Sequence, residues 1–249
     1  MKVTLIASTP DPERVVAAAA KTCYATASLD DLLDGLDDAE TGRFVDMLAE
    51  IGHESPIEHA SFTFAAEGIS RSLLAQLTRH RIASYSVRSQ RYVSEKRFTY
   101  VTPPEIADEP EALSVYREIM DADNTAYEKL VTILTARHLK TYQDEGRTDA
   151  KTLARRRAQE DARFVLPNAC DTQLVFTMNA RSLMNFFRHR CCARAQWEIR
   201  AFADAVLTLV REAAPRIFAH AGPPCVGGPC PEGKMSCGRS AEVRARYGG

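Results

Sequence analysis

The apolar positions from Lys2 to Ala7 include the β-branched Val3 and Ile6, and with Thr4 they predict a short strand. Asp11 then offers an N-cap with Pro12 at the first helical position, predicting a helix to about Thr22. Thr41 is expected to cap a second helix, in which Phe44, Met47, Leu48 and Ile51 recur at helical spacing and mark one buried face. Ser61-Phe62-Thr63-Phe64 alternates like a half-buried strand. Ser70 to Arg81 is expected as a helix with Leu73 and Leu77 on one stripe and Gln76 and His80 on another.

Further on, residues from about Glu111 to Leu139 form a long amphipathic pattern, and Asp149 to Phe164 a second one. Pro103-Pro104 and the stretch from Asp144 to Arg147 punctuate them as loops. Leu174 to Met178 is expected as a buried strand, with Asn179 capping the helix behind it. A last long helix carries Ile199, Phe202, Val206, Leu209 and Val210 on its apolar side. These elements predict an α+β class, a mainly antiparallel sheet flanked by helices. The expected organisation is a single domain over residues 1–221 and a Gly/Pro/Cys-rich tail over 222–249 that reads as loop.

Composition narrows the function. Lys plus Arg number 32 against 33 Asp plus Glu, for a net charge of -1, and such balance argues against a coat for DNA or RNA. No apolar run approaches the roughly 20 residues that a bilayer crossing needs. The N-terminus lacks the apolar core and cleavage site of a secretory signal. Seven cysteines, an odd number, are expected as reduced thiols in a cytoplasm.

The most informative segment runs from Arg79 to Tyr92, with four arginines, His80, three serines and two tyrosines. Arginine suits phosphate because its planar fork donates paired hydrogen bonds and stays charged. Hydroxyls complete a phosphate shell, and tyrosines supply flat apolar area for stacking. From the residues alone, two readings stand: an anionic-ligand site, or a solvated charged loop with cations at a helix end.

Arg79-His80-Arg81, seven intervening residues and then Ser89 resemble the signature of flavin-dependent thymidylate synthases. Four more blocks resemble the same family, in the same order: Gly52 to His59, Arg163 to Pro167, Asn179 to Phe186 and Ala195 to Ile199. The resemblance implies reductive methylation of deoxyuridine monophosphate (dUMP), with methylene-tetrahydrofolate as carbon donor and NADPH as reductant through FAD. It also implies a homotetramer whose active sites are shared between subunits. It assigns Gln76, Arg79, Ser89, Gln90, Arg91, Arg163 and Arg190 to the nucleotide. For FAD it assigns Cys23, His53, Ser55, Glu58, Arg79, His80, Arg81, Ile82, Val87, Asn179, Arg181, Asn185 and His189. Arg181, Asn185 and His189 recur every four residues, so they share a helix face, while Leu183, Met184 and Phe187 point elsewhere and are expected to pack.

Arg190 and Ser89 are the residues the resemblance sets at the reaction. Arg190 lies against the uracil ring in the family pattern, where a fixed positive charge favours loss of the ring N–H proton. Ser89 is read as a positioning hydroxyl, because no adjacent general base is available to make it a nucleophile. The chain departs from the family motif at Ser86, Val87 and Arg88, and a valine leaves only its backbone for any flavin contact. No Gly-x-Gly-x-x-Gly fingerprint is present, so NADPH is expected to visit the flavin site. Cys225, Cys230 and Cys237 match no paired CxxC spacing, so free thiols are the first reading and no metal is assigned. Two rivals remain open: a catalytically silent nucleotide or flavin-binding regulator, and an RNA-binding module built on the basic cluster with Tyr85 and Tyr92.

Overall fold

A computed structural model describes residues 1–24, 26, 28–90 and 98–248. Its elements in chain order are β1 (Lys2–Ser8), α1 (Pro12–Tyr24), α2 (Leu29–Asp34), α3 (Asp38–Ile51), β2 (Ser61–Ser70), α4 (Arg71–Leu77) and β3 (Ser84–Val87). There follow α5 (Pro104–Ala107), α6 (Pro110–Asp144), α7 (Ala150–Ala162), β4 (Asp171–Asn179), α8 (Ala180–Arg190), α9 (Trp197–Ala213) and α10 (Ser240–Tyr247). The strands form an antiparallel sheet in the order β1-β2-β4-β3, and the class is α+β.

The chain divides into two compact units. The first comprises residues 1–66, 75–86 and 174–249. Its core is aromatic: Phe62, Phe64, Phe176, Phe186, Phe187, Phe202 and Phe218 are all fully buried. Phe64 stacks on Phe176 with ring centroids 4.9 Å apart, and Phe62 meets Phe218 edge-on at 5.4 Å. Alternate residues of a strand share one face, and helical residues three or four apart share one stripe. Phe176 of β4 in turn meets Phe202 of α9 at 5.7 Å, and Phe187 of α8 meets Phe218 edge-on at 6.0 Å. Asn179 starts α8, its side chain accepting from the Ser182 amide at 2.8 Å.

The second unit comprises residues 67–74 and 87–173. Here α6 and α7 pair closely. Ala150, Ala154, Ala158 and Ala162 are all buried, one per turn of α7, and this small-residue stripe lets two helix backbones approach. Phe98, Met120 and Cys170 form a small core, and Asn124 Oδ1 accepts from the Phe98 amide at 3.0 Å.

Several local expectations change. Asp37, not Thr41, caps α3, its carboxylate accepting from the Glu40 amide at 2.8 Å; Thr41 lies buried inside the helix. The expected helix from Ser70 to Arg81 is shorter. Strand β2 continues to Ser70, and α4 ends at Leu77, so Arg79, His80 and Arg81 sit on a turn. Gln76 and His80 thus share no helical stripe. Strand pairing of β2 outcompetes helix propensity at Ser70. The Tyr85 hydroxyl donates to the carbonyls of Leu77 and His80 at 2.9 and 2.8 Å, holding the chain end after α4 in a turn.

The tail is not all loop, because α10 forms within it. Val243 and Tyr247 are its buried residues, four apart on one face. The Tyr247 hydroxyl lies 2.6 Å from Asp204 Oδ1 on α9, and Arg211 donates to the Tyr247 carbonyl at 2.7 Å. Tyr247→Phe is expected to lower stability by about 1 kcal/mol, since Asp204 loses a donor in a partly buried place. Urea denaturation of variant and wild type measures this, and an unchanged midpoint would dismiss the bond.

Candidate active site

Three segments of the first unit line one cavity of about 870 Å³. Helix α8 contributes the face carrying Arg181, Met184, Asn185, Arg188 and His189, opposite the buried Leu183, Phe186 and Phe187. The turn after α4 contributes Arg79, His80, Arg81 and Ile82. Glu54 and Glu58 come from the chain around the 3-10 turn Pro56–His59.

His80 joins core to cavity. Its ring meets Phe186 edge-on at 5.1 Å, and its Nε2 lies 3.1 Å from Arg190 Nε. Arginine only donates, so Nε2 is the acceptor and the imidazole proton resides on Nδ1. Burial, then the positive charge of Arg190 and the neighbouring His189, push the His80 pKa from 6.5 down to about 4. The ring is therefore neutral near pH 7. Burial likewise pushes the Tyr85 phenol up to about 12, which keeps it a donor to the turn.

Arg190 has neutral partners among the described residues. Beyond His80, it reaches Gln76 Oε1 at 3.5 Å and the Gln76 carbonyl at 3.3 Å. Burial and then the Arg79 charge push its pKa below the usual arginine value. The two carboxylates of the cavity serve other cations: Arg181 pairs with Glu58 and, at 3.2 Å, with Glu54, which also lies 3.6 Å from Arg188. The lining holds five arginines, Arg79, Arg81, Arg181, Arg188 and Arg190, against two glutamates, an excess of three positive charges. An anion suits such a cavity, because it removes repulsion that the protein itself leaves uncompensated.

Nine of the thirteen residues expected at the flavin line this cavity: Glu58, Asn179, and the sets from the α4 turn and α8. Cys23, His53, Ser55 and Val87 do not. Cys23 is exposed on α1, donating to the Ala19 carbonyl. His53 is engaged at both ring nitrogens, by the Tyr24 hydroxyl at 2.7 Å and the Ser55 hydroxyl at 2.8 Å. Val87 ends β3 in the second unit.

Of the residues expected at the nucleotide, Arg79 and Arg190 line the cavity, and Gln76 bonds Arg190. Ser89 and Gln90 belong to the second unit. There they line a cavity of about 30 Å³ with Arg71, Phe98 and Cys170, room for a water but not a nucleotide. Arg163 is in the same unit, in the 3-10 turn after α7. Arg91 and Tyr92 lie outside the described residues. Glu54, Ser182 and Arg188, to which the sequence assigned no role, also line the larger cavity, and so does Met184, which was expected to pack away from it and instead sits next to Asn185 on the open side of α8. Arg188 carried a usable signal, since it follows Arg181 by seven residues and Asn185 by three on the polar face of α8.

Residues 4–216 match the family described as thymidylate synthase complementing protein. The chain is 51% identical over 247 residues to a flavin-dependent thymidylate synthase of Clostridium tetani, covering 99% of this chain and 97% of that one. It is 47% identical over 249 residues to the Geobacter sulfurreducens enzyme of the same name, covering 99% and 98%. A third, from Nitratidesulfovibrio vulgaris, is 46% identical over 245 residues, covering 96% and 94%. Identity of this extent, with a family match over most of its length, makes the conclusion plain: the chain belongs to the thymidylate synthase complementing protein family.

Proposed function

We propose that the chain is a flavin-dependent thymidylate synthase, which methylates dUMP to dTMP with methylene-tetrahydrofolate as carbon donor and NADPH as reductant through FAD, releasing tetrahydrofolate. The observation that carries this reading is the cationic cavity on which nine residues expected at the flavin converge. Its volume of about 870 Å³ falls within the range of about 300–1,000 Å³ usual for cofactor clefts. The excess of arginine suits the anionic diphosphate of FAD and the phosphate of dUMP.

FAD, when bound, would supply the redox chemistry, carrying the reducing equivalents of NADPH to the uracil-bound one-carbon unit so that it ends as a methyl group. The protein's part is binding and charge. Arg181, Asn185 and His189 offer one helix face to the cofactor. Arg79 and Arg81, at the turn, offer fixed charge. Arg190 is held by His80 and Gln76, and its guanidinium stabilises a deprotonated uracil ring, making the ring carbon a better nucleophile. Neutral His80 orients Arg190 without competing for negative charge. The family resemblance also assigns Ser89, Gln90, Arg91 and Arg163 to the nucleotide. A homotetramer with shared sites and a cytoplasmic setting belong to the same proposal; seven free thiols support the second.

The test is the visible absorption spectrum of the purified protein, read before and after adding dUMP. A flavin spectrum that shifts with the nucleotide, followed by dTMP formation with methylene-tetrahydrofolate and NADPH, is the expected result. A colourless protein that takes up no added FAD overturns the proposal.

Arg190→Ala is expected to slow dTMP formation by about a hundredfold or more, the usual loss when a transition-state charge partner is removed. Steady-state assay at saturating dUMP checks it, and an unchanged rate would remove Arg190 from the reaction. The His80 environment predicts a pH effect. Between pH 6.5 and about 4 the unfolded chain binds a proton that folded His80 refuses. Its contribution to stability is therefore whole above pH 6.5 and is lost as pH falls toward about 4. His80→Asn, which keeps an acceptor for Arg190, is expected to lose less melting temperature than wild type between pH 7 and pH 5. Equal losses would show that His80 is not the titrating group.

A further inference from the structure

Three of the cysteines, Cys225, Cys230 and Cys237, lie between α9 and α10, separated by four and six residues. A fourth, Cys192, lies in the connection from α8 to α9. All four line a single cavity of about 340 Å³, together with Arg188, Arg190, Arg194 and Glu232. None of them is in a disulfide. Cys225 is buried, and Cys192, Cys230 and Cys237 are partly buried.

The chain around this cavity is tied down on both sides. Arg244 of α10 donates to the Cys225 carbonyl at 3.0 Å and to the Gly228 carbonyl at 2.9 Å. Arg194 pairs with Glu232 at 2.8 Å. The Tyr247 hydroxyl lies 3.3 Å from the carbonyl of Cys191, next to Cys192. Among the described residues no three potential ligands are yet at metal-binding separation. One rotation about χ1 moves a thiol Sγ by about 3 Å, so a metal site here requires these side chains to rotate inward on binding. A Cβ placed on Gly227, Gly228, Gly233 or Gly238 would meet nothing within 4 Å, so side-chain space is open along this loop.

We propose that Cys192, Cys225, Cys230 and Cys237 form a four-thiolate site for a structural zinc ion. Four sulfur donors around one space are the donor set of closed tetrahedral zinc sites, which keep no open position for water or substrate. Binding releases the four thiol protons and leaves a complex of charge −2. The three arginines lining the cavity, against one glutamate, offset that charge. No electron is transferred. The ion fastens the tail to the segment that begins two residues after Arg190, and so braces one side of the candidate active site.

The test is metal analysis of the full-length protein, purified without a metal-affinity step. About one zinc per chain is expected, with X-ray absorption giving sulfur neighbours at about 2.3 Å. Cys230→Ser and Cys237→Ser should each weaken zinc retention by about tenfold or more, while Cys23→Ser leaves it unchanged. Should the variants fold poorly, wild-type protein stripped of metal and reloaded with Co2+ should show thiolate charge-transfer bands and tetrahedral ligand-field bands. Wild-type protein that holds no zinc and has four freely titrating thiols overturns the proposal. So does a disulfide among these cysteines, or iron in place of zinc.

Discussion

Leu183, Phe186 and Phe187 must be buried, and everything at the candidate site follows from that constraint on α8. Each such side chain contributes about 1.5–3 kcal/mol when taken from water. Rotating α8 by even one residue would expose part of this face. The opposite face, with Arg181, Asn185 and His189, is therefore fixed toward the cavity without any polar contact having to hold it there. The same packing reaches the turn after α4, because His80 rests its ring edge-on against Phe186. Core and site share side chains, so the geometry of the cavity is set by the least deformable part of the first unit.

Electrostatics runs against stability here. Arg190 gives up part of its hydration and, among the described residues, receives neutral acceptors in return, while Arg79 repels it. A sequence selected for stability alone would supply a carboxylate. Glu54 and Glu58 are present, but Arg181 and Arg188 engage them. The outcome is a preorganised positive field whose cost is recovered when an anion arrives, a frequent arrangement in binding and catalytic sites.

The C-terminal segment shows how a Gly- and Pro-rich stretch becomes ordered without a large core of its own. Arginines on α9 and α10 donate to backbone carbonyls: Arg211 to Ala221 and Tyr247, Arg244 to Cys225 and Gly228. Charged side chains thus satisfy carbonyls of the loop and of the helix end. A four-thiolate zinc site would add a further tie at the same place.

Much of this was legible along the chain. The strand at β1, the Pro12 helix start, the Asn179 cap and the apolar stripe of α9 follow from local rules of spacing and capping. So does the shared face of Arg181, Asn185 and His189, because a helix places every fourth residue on one side. The turn at Arg79 to Arg81 was not legible. It depends on strand pairing at Ser70 and on a tyrosine hydroxyl reaching back to two carbonyls, and neither leaves a periodic trace. Nor could the sequence bring Cys192 to the tail cysteines, or leave Arg190 with neutral partners. The sequence by itself determined which residues lie on the same face of each element, since that is fixed by backbone period. Only the tertiary structure decided which faces meet, and hence where the charges go unpaired, since that depends on contacts between residues far apart in the chain.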